Sequence, residues 1–148
     1  MEDWTAQGIS NLAHALAELG YFDQSFFEEM AKQVERISME GNGQDLSNTL
    51  WAFAFAGVVA DYEVAVRMIW DIAMNKPAGE FLEVHWRMLA VTRLFAKSEG
   101  VDLGSEHSRF LKMATSCVVE GSSDFENAVA KDLVRHGYDG FEREVSPF

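Results

Sequence analysis

The sequence predicts an all-α protein, an α-solenoid of helix-pair repeats, and three observations carry that prediction. The first is the stretch Gln44 to Gly57, QDLSNTLWAFAFAG. Its Leu46, Leu50, Phe53 and Gly57 fall at i, i+4, i+7 and i+11, one face of an α-helix. Asn48, Trp51 and Phe55 fall on a second face, and Ala52, Ala54 and Ala56 fill the gaps with small side chains. A helix that is apolar on more than one face must be covered on more than one side, so this is an inner helix of a layered stack. The second observation is an earlier copy, Gln7 to Gly20, QGISNLAHALAELG, which matches at six of fourteen positions when shifted by 37 residues. The third is a second amphipathic helix downstream of each copy. With one residue inserted, Phe26, Met30 and Val34 of the first correspond to Val64, Met68 and Ile72 of the second. A period of 37–38 residues built from two helices is the pattern of an α-solenoid.

Taken in order, residues 5–20 form the first helix, and Gly20 ends it in a left-handed cap. Asp23 sits where an N-capping residue belongs, and Phe26, Phe27, Met30, Val34 and Ile37 come after it at helical spacing. Glu28 and Glu29 lie early and Lys32 and Arg36 late, which suits the helix dipole. Glu40 to Gly43 is a turn before the central helix. Asp61 then caps a helix whose inner face is Val64, Met68, Ile69 and Ile72. Lys76-Pro77-Ala78-Gly79 breaks the chain. Phe81 to Ala96 forms the next helix, with Val84, Met88, Val91 and Phe95 facing in and Trp86, Arg93 and Lys97 together on another face. After a loop at 100–104, a helix is expected over Ser105 to Val119, with Arg109 and Lys112 outward. Ser123 and Glu126 form a capping box that opens a last helix carrying Phe125, Val129 and Leu133 and closed by Gly137. The organisation is therefore two helical-hairpin repeats over 5–76, a three-helix extension packed on them over 77–137, and a non-helical tail over 138–148.

The string Gln44-Asp45-Leu46-Ser47-Asn48-Thr49-Leu50-Trp51-Ala52-Phe53-Ala54, with its copy from Gln7, resembles the octotricopeptide-type repeats of organellar RNA-binding proteins. That group lies close to the FAST kinase-like proteins that carry a RAP domain. The resemblance covers residues 5–75 well and is looser from residue 80 onward. There Asp124-Phe125-Glu126-Asn127-Ala128-Val129 and Phe141-Glu142-Arg143-Glu144-Val145 resemble the helical stretch leading into a RAP domain. The resemblance implies RNA binding in a mitochondrion or chloroplast, acting on transcript stability, processing or translation, with no chemistry of its own. It also implies a fragment that lacks the RAP domain. The start, Met1-Glu2-Asp3-Trp4, is acidic and is not an organellar leader, so an organellar address would require a leader that this chain lacks.

Composition sets bounds on this reading. The length of 148 residues suffices for one domain with a core, and two prolines with 48% hydrophobic residues suit a helix-rich fold. The net charge of −12 runs against a broad polyanion-binding surface, because phosphate neutralisation draws on Lys and Arg. The excess is uneven: residues 1–75 carry twelve acids against three bases, and residues 76–148 twelve against nine. The half that most resembles an RNA-binding repeat is the more acidic one. The one cysteine, Cys117, permits no internal disulfide. No apolar run is long enough to span a membrane.

Catalysis has little support in the sequence. His14, His85, His107 and His136 are scattered and match no metal-ligand spacing, and no glycine-rich phosphate loop or kinase motif occurs. No cofactor and no small-molecule substrate is expected. Candidate RNA contacts come from equivalent positions on the two repeats: Asn11 and Asn48 as hydrogen-bonding groups, His14 and Trp51 as planar groups for bases. The competing reading has the asparagines tie helix starts to neighbouring loops while Trp51 fills the core. Trp86, Arg93 and Lys97 give a second, mixed aromatic and basic face, for which a snorkelling basic rim is the competing reading. The expected partner is single-stranded RNA. The alternative is a protein-interaction scaffold whose acidic surface meets a basic partner, such as a ribosomal protein or another subunit of a ribonucleoprotein complex.

Overall fold

A computed structural model describes residues 3–104, and these contain six α-helices and no strand. The helices are α1 (Ala6–Glu18), α2 (Gln24–Lys32), α3 (Val34–Glu40), α4 (Gly43–Phe55), α5 (Glu63–Asn75) and α6 (Glu83–Ser98), with a 3₁₀ turn at Ala78–Glu80. The all-α expectation holds over this span. The helices expected over 105–119 and 123–137, Arg109, Lys112 and the tail lie outside the described residues.

Helix α4 is the centre. It packs on α1 on one side and α6 on the other, and also touches α5. Its Leu46, Leu50, Phe53 and Ala52 are completely buried, and Ala54 nearly so, as a helix apolar on several faces requires. The contacts between α1 and α4 rise together along both helices. Ser10 meets Asp45, Asn11 meets Asn48 and His14 meets Trp51, so the two run parallel. Gly43 at the start of α4 lies against the Glu80 carbonyl just before α6. Val59 and Ala60, just beyond α4, donate their N–H groups to the Glu99 carboxylate at the end of α6, at 3.3 and 3.2 Å. Hence α6 is parallel to α4 as well, and the chain returns between them through α2, α3 and α5.

The ends of the three parallel helices repeat one device. Gly20, Gly57 and Gly100 have φ of 67°, 73° and 82°, a conformation that costs glycine nothing. In each case the next residue donates to a carbonyl five positions back: Tyr21 to Leu16, Val58 to Phe53, Val101 to Ala96. This is the paired-bond glycine cap, and it turns the chain out of each parallel helix in the same sense. The starts differ. Thr5 caps α1 through the Gly8 N–H, whereas Asn42 and Asp45 form a reciprocal capping box on α4. At α6 the Leu82 N–H donates to His85 Nδ1 at 3.1 Å, and leucine has no acceptor to return the bond.

The returning helices depart from expectation. Asp23 caps α2 through the Phe26 N–H at 2.9 Å, as its position suggests. The helix then breaks at Gln33, so the first return is two short helices and the second, α5, is one. Asp61 does not cap α5; the helix starts after Tyr62 without a side-chain cap. Of the expected inner face of α5 only Ile69 faces in. Val64, Met68 and Ile72 are 80%, 39% and 37% exposed, while Val66, Ile69, Trp70 and Ala73 are buried. Phe27, Met30 and Val34 are the buried counterparts on α2 and α3, so the buried positions of the two returns match at a shift of 39, not 38. On α6, Met88 and Val91 are buried but lie outside the core cluster, to which the helix contributes Trp86, Leu89, Ala90 and Leu94 instead, and Val84 is exposed.

Candidate nucleic-acid interface

The candidate residues of the two repeats form one strip on the flank of α1 and α4. Because the helices are parallel and in register, residues 37 apart become neighbours. Asn48 Nδ2 donates to Asn11 Oδ1 at 3.4 Å, with Asn48 only 6% exposed and Asn11 at the surface. One turn on, the His14 and Trp51 rings lie 4.8 Å apart at 36°. Trp51 stacks in turn on Phe55, with centroids 4.7 Å apart and planes 18° apart. All three rings are half-buried. His14 Nε2 also sits 3.6 Å from the Glu18 carboxylate. The strip thus combines a run of planar groups with an amide pair, the groups that stack on bases and read their edges.

Beneath the strip lies a residue that sequence reasoning passed over. Asp45 is 5% exposed; its Oδ1 accepts from the Ser10 hydroxyl at 3.1 Å and its Oδ2 from the Asn42 N–H at 3.0 Å. It caps α4 and ties α4 to α1 at once, which fixes the height of Asn48 and Trp51 relative to Asn11 and His14. The signal was present as the Asn42-x-x-Asp45 spacing of a capping box.

The second expected face does not assemble. Trp86 is 4% exposed and packs its ring against Phe81, 5.2 Å away, under the chain that leads into α6. Arg93 is half-buried and Lys97 is exposed further along the helix. Spacing of i, i+7 and i+11 puts the three on one side of α6, but the Phe81 segment covers the first turns of that side. Trp86 is therefore a core residue rather than a platform beside Arg93 and Lys97.

The electrostatics limit how phosphates could be held. Among the described residues Lys32 pairs with Glu29, Arg67 with Glu63, Lys76 with Glu80 and Arg87 with Glu83, each within one helical turn or so. Arg67 also donates to the Asp102 carbonyl at 2.7 Å. These cations are held by carboxylates of their own helix or turn. His85 is buried, with Nδ1 used as an acceptor, and burial lowers its pKa below the usual imidazole value. No group of three or more His, Cys, Asp or Glu suited to a metal ion occurs among the described residues. No described helix is long and apolar enough to cross a membrane.

Comparison with family models, with curated proteins and with solved structures gives no match. Over the described residues the chain is all-helical, and the parallel helices α1 and α4 bring side chains 37 positions apart in the sequence into contact.

Proposed function

We propose that this chain is a non-catalytic RNA-binding module of the helical-repeat, α-solenoid kind, gripping single-stranded RNA along the α1–α4 strip. The observation that carries this reading is the in-register ladder of Asn11 with Asn48 and of His14 with Trp51 and Phe55. Base–aromatic stacking contributes on the order of 1–3 kcal/mol per base, so Trp51 and its neighbours supply most of the affinity. Two repeats contact only a couple of nucleotides. The resemblance to octotricopeptide-type repeats extends the reading to post-transcriptional control of transcripts in a mitochondrion or chloroplast.

The ion-paired cations sharpen the proposal. Each phosphate neutralised on a single strand adds about 0.7 to the slope of log affinity against log salt. With most described cations engaged by carboxylates, the salt slope here is shallow, roughly 1–2. The test is fluorescence anisotropy of the full chain with a labelled single-stranded RNA pool at low and physiological salt, with duplex DNA as control. RNA binding with a shallow slope, lost in Trp51→Ala at unchanged helix content, supports the reading. Absence of binding at low salt removes it. The protein-scaffold reading then leads, favoured by the net charge of −12.

A further inference from the structure

The layer of returning helices carries a surface that the RNA reading does not use. Where α2 gives way to α3, the break at Gln33 leaves a groove against the start of α5, about 620 Å³ in volume. Its apolar lining is Ala31, Val34, Ala65, Val64 and Met68. Ile72 continues the line, so Val64, Met68 and Ile72 form an i, i+4, i+8 stripe along α5, facing away from the core. A helix that buries Val66, Ile69, Trp70 and Ala73 on one side and leaves such a stripe on the other is apolar on both faces.

The rim is negative. Among the described residues Glu35, Asp61 and Glu63 line the groove with a single cation, Lys32, which is engaged by Glu29. Glu63 is held by Arg67, whereas neither Glu35 nor Asp61 is paired with a cation among the described residues. The Tyr62 phenol at the same place registers the field: burial first, then the Glu28 and Asp61 carboxylates, push its pKa above the usual value.

We propose that this groove is a docking site for an amphipathic helix with a basic flank, contributed by another protein. The apolar stripe has the i, i+4 spacing that accepts the anchors of a helix laid in a groove. The acidic rim selects lysine or arginine beside those anchors and repels an acidic partner. The site lies on the returning helices α3 and α5, away from the α1–α4 strip, so it stands whether or not the strip binds RNA.

The probe is a labelled amphipathic peptide of about 18 residues with leucines at helical spacing and lysine flanks, long enough to span the groove. Its binding to the full chain is measured by anisotropy against an otherwise identical peptide with glutamate flanks. Saturable binding of the lysine peptide, at least about tenfold tighter than the glutamate peptide, is expected. Val64→Glu with Met68→Glu should weaken it by about tenfold or more with helix content unchanged, since both side chains reach solvent. Asp61→Lys should weaken it and strengthen the glutamate peptide, while Trp51→Ala should leave it unchanged. Equal binding of the two peptides overturns the proposal, as does binding indifferent to the α5 variants. Failure of the lysine peptide to bind also overturns it. So does a dimer that Val64→Glu with Met68→Glu turns into a monomer, because the groove then belongs to a second copy.

Discussion

The parallel helices α1 and α4 keep one register residue for residue, whereas the helices that return between them do not. Across α1 and α4 a shift of 37 brings like against like, from Asn11 beside Asn48 to the glycine caps at Gly20 and Gly57. Across the returns the buried positions match only at 39, one return is broken at Gln33, and the other is continuous. The difference arises from what each layer touches. Helix α4 is enclosed by α1 and α6 on its two sides, and a one-residue slip would carry its large side chains out of the core. A returning helix has a face free of the parallel row and can absorb an insertion by rotating. Close packing on more than one side is what holds a repeat's register.

The largest test of the comparison removes the side chain that joins the two layers. Phe53 on α4 is fully buried and meets Phe27 of the first return at 5.6 Å and Tyr62 before the second at 5.5 Å. Phe53→Ala should cost about 3–5 kcal/mol in denaturant unfolding, the transfer term plus the cavity. Met68→Ala, on the outer stripe of α5, should cost no more than about 0.5 kcal/mol. A large loss for Met68→Ala would mean that the stripe is already covered.

Next comes the close approach that seats α4 against α6. A Cβ on Gly43 would lie 2.3 Å from the Glu80 carbonyl oxygen, a backbone atom that cannot swing aside. Gly43→Ala should therefore destabilise by about 1–3 kcal/mol although alanine is the better helix former. At Gly79, where a Cβ meets nothing, alanine should be nearly neutral. Asp45→Ala ranks after it, at about 1–2 kcal/mol, because it removes the cap of α4 and leaves the Ser10 hydroxyl without its cross-helix partner. It should also loosen the height of Trp51 relative to His14, read as a shift in tryptophan emission.

How much of this was legible in the sequence depends on how many sides of an element are covered. For α4 the reading was nearly complete, since Leu46, Leu50 and Phe53 on one side and small alanines elsewhere allow one orientation. For α5 it held only at Ile69, because Val64-Met68-Ile72 and Val66-Ile69-Ala73 are both apolar at helical spacing, and periodicity cannot choose between two apolar faces. Asp61 looked like a cap but lies one residue before the N-cap position, Tyr62, because the turn after Gly57 runs on through Tyr62. In the strip, equivalence of Asn11 with Asn48 and of His14 with Trp51 was readable; that the equivalents touch depends on α1 and α4 being adjacent and parallel. Trp86 was misplaced because its cover, Phe81, lies outside the helix whose wheel was being read.

The smallest effect concerns the start of α6, the third parallel helix. His85 Nδ1 accepts the Leu82 N–H only while it is unprotonated, and burial lowers the imidazole pKa from the ordinary value of 6.5. Between that value and the lowered one, the unfolded chain binds the proton and the folded chain does not. The contribution of His85 is therefore complete above pH 6.5 and is lost progressively as the pH falls below it. His85→Gln keeps an acceptor at the same helix position and does not titrate. Its unfolding free energy should match that of the parent chain to within about 0.5 kcal/mol at pH 7.5 and fall less than the parent's on going to pH 5.5. His14 is present in both proteins, so the difference isolates His85. Identical pH profiles would mean that the α6 start does not depend on its imidazole, and that the packing of Phe81 and Trp86 alone sets where the third parallel helix begins.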